Sequence, residues 1–360
     1  MKIDLFLSTA LHPGHSYEHV FDDALLYVSA AEEMGYHAVW VNEHHFVRFG
    51  SCSAPLAMAG FLLGRTRRIR VGTAVVLLPL HNPVEVAEQA AILDQLSGGR
   101  LDLGVGRGAY PLDWTVFDMD VRYSNAAVRE HLDTILRAWT QDTVSASTPW
   151  LSFPDAHITP RPRTTPCPPV FLATASPGGV EHAAKLGIPL LISWHTAPAE
   201  KKQYIDIYER VAKEHGQNPH PEHVITGIAH VGGTRDAAKD EITPHLGWWM
   251  EEGERPSREL ERLREDPRAA AYEEVYSDAA KRQSAYPPEV MAKRLVSVNP
   301  IGTADQVADW MAEASAVVGS QRFAFFMDLT GDRERTLEVM KAVASSAAEA
   351  PQYETTSHIS

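Results

Sequence analysis

The sequence predicts a (β/α)8 barrel, the TIM-barrel architecture, carrying an insertion late in the chain. Three observations lead there. Short β-rich runs alternate with longer helical patterns along most of the 360 residues. The strand-like runs are apolar on both faces, as in a parallel sheet covered by helices. Counting gives roughly eight strand–helix units, the number that closes such a barrel. An open doubly wound sheet is the rival, but eight units with one large insertion favour closure.

The elements follow in order. "KIDLFLS" reads as a strand and "HVFDDALLYVSAAEEMG" as a helix closed by Gly35. "AVWVN" and "APLAMAGFLLGRT" form the second unit. "IRVGTAVVLL" is a third strand, and "NPVEVAEQAAILDQLSGG" a helix with Pro83 near its start. "RLDLGVG" and "SNAAVREHLDTILRAWT" make the fourth. The Pro-rich "TPWLSFPDAHITPRPRTTPCPP" cannot be a regular helix and reads as a short hairpin with an extended surface crossing. Alternation resumes with "VFLAT", "GGVEHAAKLG", "IPLLIS", "PAEKKQYIDIYERVAKEHG" and "HVITGIAHVGG". Residues 235–290 are charged and break the rhythm, which marks an insertion that is helical in part. "TADQVADWMAEASAVVG", "RFAFFMDL" and "DRERTLEVMKAVASSAAE" close a single domain over 1–350. Residues 351–360 read as a frayed tail.

Composition narrows the function. Hydrophobic residues make up 44% and charged residues 22%, an ordinary globular balance. A formal net charge of -14 argues against nucleic acid or an anionic membrane surface as partner. Cys52 and Cys167 are the only cysteines, too few for a disulfide framework or a thiolate metal site. No apolar run approaches the ~20 residues of a membrane helix, and the N-terminus lacks a signal-peptide pattern. A reducing, cytoplasmic setting is the simplest expectation.

Three stretches carry candidate chemistry. In "VWVNEHHFVRFG" an apolar run ends in Asn42, Glu43, His44 and His45. Neighbouring side chains of a strand point to opposite faces, which argues against a metal site using both histidines. A single imidazole at a strand's C-terminal end sits where barrel enzymes do chemistry and titrates near neutrality. A pair of solvated loop histidines is the alternative. In "DLGVGRGAY", Gly104, Gly106 and Gly108 are expected to let the backbone turn sharply, and Arg107 among them suits a phosphate. The spacing is not a dinucleotide fingerprint, and an ordinary surface Arg is the alternative. In "TASPGGVEHAAKLG", Thr174, Ser176, Gly178 and Gly179 begin a helix whose N-terminus forms an anion site, expected to face Arg107. A plain capped helix start needs the same residues.

"NEHHF", "VGTAVVLLPLHNPVEVAEQAAILDQLSGGRLDLGVGRGAY", "ATASPGGVEHAAKLGIPLLISW" and "SVNPIGT", taken in order, resemble the bacterial luciferase-like flavin monooxygenases, most of all the luciferase α subunit. The resemblance covers nearly the whole chain. It implies a barrel binding reduced FMN at the C-terminal strand ends, with His44 as catalytic base and Arg107 on the FMN phosphate. It also implies a cis peptide between Ala74 and Val75 beneath the flavin ring, and Ser193 and Trp194 beside it. His45, Tyr110 and the Trp248–Trp249 pair are candidate pocket walls, although each aromatic taken singly is more often core. Residues 262–290 occupy the place of the family's mobile loop and are expected to close over flavin. One departure is Gly106, where the luciferase α subunit has a reactive cysteine.

The implied reaction is oxygenation of an apolar organic substrate by O2 through a C4a-peroxyflavin. The substrate is a long-chain aldehyde or a secondary-metabolite intermediate. A separate reductase supplies the reduced FMN, since the chain shows no second nucleotide-binding unit, and the barrel pairs as a homodimer or a luciferase-like heterodimer. The rivals are a deazaflavin-dependent oxidoreductase of the same fold and a non-catalytic β-like or flavin-storage protein. A sugar-processing barrel would need two paired carboxylates. Asp113, Asp118 and Asp120 cluster after the fourth strand, without a second acid to match them.

Overall fold

The computed structural model of the protein describes residues 1–261 and 287–350. The expected closing of residues 262–290 over flavin falls almost wholly outside the described residues, as does the tail 351–360. The strands, in chain order, are β1 (Lys2–Leu7), β2 (Ala38–Val41), β3 (Arg70–Thr73), β4 (Val76–Leu77), β5 (Leu101–Gly106), β6 (Val144–Ser147), β7 (Ser152–Ala156), β8 (Val170–Ala173), β9 (Leu190–Ile192), β10 (Val224–Ile228), β11 (His230–Val231), β12 (Ile301–Gly302) and β13 (Arg322–Phe326).

The fold is a (β/α)8 barrel. Its sheet runs in the order β3-β2-β1-β13-β10-β9-β8-β5-β4, with β3 also pairing β5. β3 and β4 are two pieces of one barrel strand, interrupted at Ala74–Val75, so nine segments make eight barrel strands among the described residues. The expected hairpin is present as antiparallel β6 and β7. The run "HVITGIAHVGG" proves to be two strands, because β11 leaves the barrel to pair with β12.

The chain divides into two compact units, one of residues 1–40, 174–250 and 288–360, the other of 41–173 and 251–287. In the first, β1 and β10 flank β13, with Lys2 and Val224 both opposite Arg322. Asp4 on β1 is fully buried and accepts from Trp40 Nε1 at 2.7 Å and Arg322 Nε at 2.8 Å. In the second, β5 pairs with β3, β4 and β8. Buried Asp102 there takes Arg70 Nε at 2.9 Å and Nη2 at 2.6 Å. Each unit thus neutralises one interior strand carboxylate with a guanidinium from a neighbouring strand, which a buried charge requires.

Helix ends follow local chemistry. Asn82 caps the Val84 N–H with Pro83 in the first turn, and Gly98 closes that helix at φ +75. Thr303 and Gln306 form a reciprocal capping box. The stretch read as an insertion opens with one helix, Arg235–Glu261. Two short elements had no sequence signal: the helix Pro111–Val116 after β5 and the helix Pro288–Val298.

Candidate active site

β2 ends at Val41, and Asn42 to His45 follow in irregular backbone. The two imidazoles diverge because the chain bends there, not because a strand alternates its faces. His44 is half-buried. Its backbone N–H donates to Cys52 O at 2.9 Å, and its ring packs on Phe49 (4.9 Å between centroids) and Tyr110 (5.7 Å). Gly50 closes another side, since a Cβ there would meet His44 Cδ2 at 2.5 Å. Burial lowers the His44 pKa to about 4, overriding the pull of the Glu43 charge. At pH 7 the ring is neutral, the form that accepts a proton.

Glu43 is 2% exposed. Its Oε1 accepts from His45 Nε2 at 3.0 Å and His81 Nε2 at 2.7 Å, and its Oε2 accepts from the Leu77 N–H at 2.9 Å. Burial pushes this carboxyl up, but the donors win and hold it below its ordinary range. The His45 ring lies on Phe117, 4.7 Å away. His44 and Tyr110 therefore share one contact group, while His45 belongs to another with Glu43 and His81. Asp113, 1% exposed in the short helix capped by Tyr110, has no hydrogen-bond partner on either oxygen among the described residues. Burial raises its pKa to about 7.

The Ala74–Val75 peptide is cis, as the resemblance implies. Thr73 is fully buried, and its hydroxyl bonds Gly104 O at 2.7 Å. The expected glycine-rich turn is largely strand, because Gly104 and Gly106 both lie inside β5. Only Gly108 has positive φ, +85. A Cβ on Gly106 would come within 2.7 Å of Val75 Cγ2, so Val75 fills the space that a side chain there would need. Arg107, the first residue past β5, is half-buried and donates from Nε to Gly108 O at 3.2 Å.

Past β8 the first unit resumes at Thr174, which leads to the helix Pro177–Leu186. Ser176 is its N-cap and accepts from the Gly179 N–H at 3.2 Å. The Thr174 hydroxyl lies against Gly179 so closely that a Cβ would sit 2.1 Å from it. Ser176 and Gly178 are solvent-exposed. After β9, Ser193 Oγ bonds His195 Nδ1 at 2.9 Å. Trp194 stacks on His195 (3.5 Å) and meets Trp249 (5.0 Å), which packs on Phe326 (5.3 Å). Trp248 parts from this wall and lies on His12 instead, 4.9 Å away. Lys201, fully buried, donates to Ser193 O at 2.5 Å and Thr196 Oγ1 at 3.3 Å. Asn299 Nδ2 holds Trp194 O at 3.0 Å.

Sequence reasoning did not single out His81, Lys201 or Asn299, and weighed Asp113 only as one of an acidic cluster. His81, Lys201 and Asn299 reach their partners through the folded chain, and Asp113 is set apart by its burial. Among the described residues no group of His, Cys, Asp and Glu could hold a metal ion.

A neutral, boxed imidazole and an open helix start, each following a parallel strand's C-terminal end, belong to a barrel enzyme. The chain is a member of the luciferase-like monooxygenase family, whose sequence model matches residues 1–321. It is therefore an enzyme of flavin-dependent oxygenase type. It is 32% identical over 252 residues to the alkanal monooxygenase alpha chain of the Kryptophanaron alfredi symbiont, covering 70% of this chain and 71% of that one. Solved barrels resemble it in fold. One is the oxygenating constituent of 3,6-diketocamphane monooxygenase from Pseudomonas putida, in complex with FMN (TM-score 0.75, 18% identity, covering 98% of this chain and 99% of that one). Another is an F420-dependent secondary alcohol dehydrogenase (TM-score 0.71, 19% identity, covering 96% and 98%).

Proposed function

We propose that the protein is a two-component monooxygenase that uses reduced FMN and O2 to oxidise an apolar organic substrate, a long-chain aldehyde or a secondary-metabolite intermediate. The observation that carries this reading is His44: an imidazole kept neutral by an aromatic box, immediately past a barrel strand. Reduced FMN, when bound, supplies the activation of O2. His44 then takes or returns a proton at an imidazole nitrogen as the substrate reacts.

The other groups suit a flavin nucleotide. Thr174, Ser176, Gly178 and Gly179 form an exposed helix start whose dipole and backbone favour a phosphate. The close seat of Thr174 on Gly179 leaves no room for a side chain in that cradle. Arg107 offers planar donors to phosphate oxygens. Ala74, Val75, Ser193 and Trp194 are assigned to the ring system, with Trp194 and Trp249 as an apolar wall that keeps water away. Tyr110 and His45 are assigned to the substrate pocket. A separate reductase in the cytoplasm delivers the reduced flavin. Pairing with a second luciferase-like chain, itself or a partner, is supported by Phe61, Ile92 and Leu96 on two adjacent helices, exposed at 55%, 43% and 81%. Light scattering of the purified chain reports that state.

Rapid mixing of the protein and reduced FMN with oxygenated buffer tests the reading. Flavin reoxidation should be slower than in free solution, and His44→Ala should lower substrate turnover by roughly 100-fold or more. Reoxidation at the free-flavin rate would sink the assignment. Quenching of Trp fluorescence by a deazaflavin, but not by reduced FMN, would move the protein to the rival cofactor.

A further inference from the structure

We propose that Glu43 is a positioning residue: by tying its own loop to the Leu77 strand end and to His81, it fixes where the His44 imidazole stands. This rests on the reading of His44 as the base. The carboxylate makes three bonds, to His45 at 3.0 Å, His81 at 2.7 Å and the Leu77 N–H at 2.9 Å. They join three segments of one unit: the loop after β2, the end of β4, and the residue following the turn Leu78–Leu80. His44 is the next residue after Glu43. Its backbone N–H is anchored to Cys52 O, and its ring is stopped by Gly50, Phe49 and Tyr110. The main chain entering His44 is thus held on one side by the Glu43 side chain and on the other by Cys52.

The bonding pattern also assigns protons. Both imidazoles place Nε2 on the same oxygen, Oε1, so both must carry a proton on Nε2. A glutamine at this position cannot copy the pattern. If its oxygen takes the Oε1 place, its amide N–H faces the Leu77 N–H. If its oxygen takes the Oε2 place, its amide N–H faces two Nε2–H groups, and both rings must change tautomer. The first arrangement breaks a tie, and the second keeps the ties only if both rings change tautomer.

The test is histidine ¹⁵N NMR of the flavin-free protein, wild type and Glu43→Gln, alongside turnover with reduced FMN. The wild type should show His45 and His81 protonated on Nε2. In E43Q either a tie should be lost or both rings should change tautomer, the His44 resonances should move, and turnover should fall by roughly tenfold with little change in reduced-FMN affinity, as for loss of an orienting partner. Glu43→Asp keeps the charge on a shorter arm and serves if E43Q does not fold; its His44 resonances should also move. Unmoved His44 resonances with unaltered turnover in the folded variant overturn the proposal. If His44 moves but wild-type protein never slows flavin reoxidation, the positioning role stands and the oxygenase reading fails alone.

Discussion

Two loops of this barrel each meet a buried ion, Glu43 within the loop after β2 and Lys201 of the helix Pro198–Glu214 against the loop after β9, and they satisfy it differently. After β2, the Glu43 carboxylate takes three N–H donors, two of them imidazoles, and stays ionised. At the loop after β9, the Lys201 ammonium donates to two uncharged oxygens, those of Ser193 and Thr196, and burial lowers its pKa to about 8 against the pull of the Glu200 charge. Low dielectric strengthens a fully partnered ion and penalises one whose partners are weak dipoles. The first ion therefore keeps its charge through the neutral range, whereas the second loses its charge in mild alkali. Both loops hold a residue that the proposed chemistry uses, His44 in one and Trp194 in the other.

The largest effect should come from cutting one donor in the first loop. His81→Ala removes the 2.7 Å bond to Glu43 and leaves the buried carboxylate with two donors. It should cost about 1–3 kcal/mol of stability in chemical denaturation at pH 7. No loss would mean that the carboxylate is less dependent on its partners than the comparison holds.

Asp113 is the contrasting case in the same unit as Glu43, a buried carboxyl with no hydrogen-bond partner among the described residues. Its folded pKa, about 7, lies above the ordinary 3.8. Between these values the folded state holds a proton that the unfolded chain has released, so stability falls as pH rises through that window. Asp113→Asn should raise the thermal midpoint at pH 8 and leave it nearly unchanged at pH 4. An equal shift at both would show that the carboxyl is solvated.

The smallest change is expected at Lys201. Lys201→Met replaces a buried ion by an apolar chain of similar length, which is often near neutral, within about 1 kcal/mol at pH 7. The sign of its pH dependence is opposite to that of Asp113. Between pH 8 and 10.5 the unfolded chain holds a proton that the folded state lacks, so this group's contribution rises with pH. Denaturation of wild type and variant across that range should show the rise flattened in Lys201→Met.

Much of the fold was legible in the chain. The strands "KIDLFLS", "AVWVN", "RLDLGVG" and "RFAFFMDL" and the helices between them lie where period and caps place them, because barrel strands buried on both faces advertise themselves as continuous apolar runs. His44 and the Ser176 helix start were also visible, since a strand end and a helix cap are local signals. What the alternation rule missed was the bend after Val41, which no residue between Asn42 and His45 announces. The glycines of "DLGVGRG" read as a turn, yet two of them serve close strand packing against Val75 and Thr73 instead.

The sequence by itself determined the class of fold, the family and the polar strand ends on which the chemistry depends, because these rest on period, capping and runs of residues only a few positions apart. Tertiary structure alone decided that Glu43 bonds His81, that Trp249 and not Trp248 joins Trp194, that Lys201 holds Ser193, and that Asp113 finds no hydrogen-bond partner among the described residues. Those outcomes depend on which distant segments are brought within about 3 Å and how much water is removed between them, quantities that no local pattern encodes.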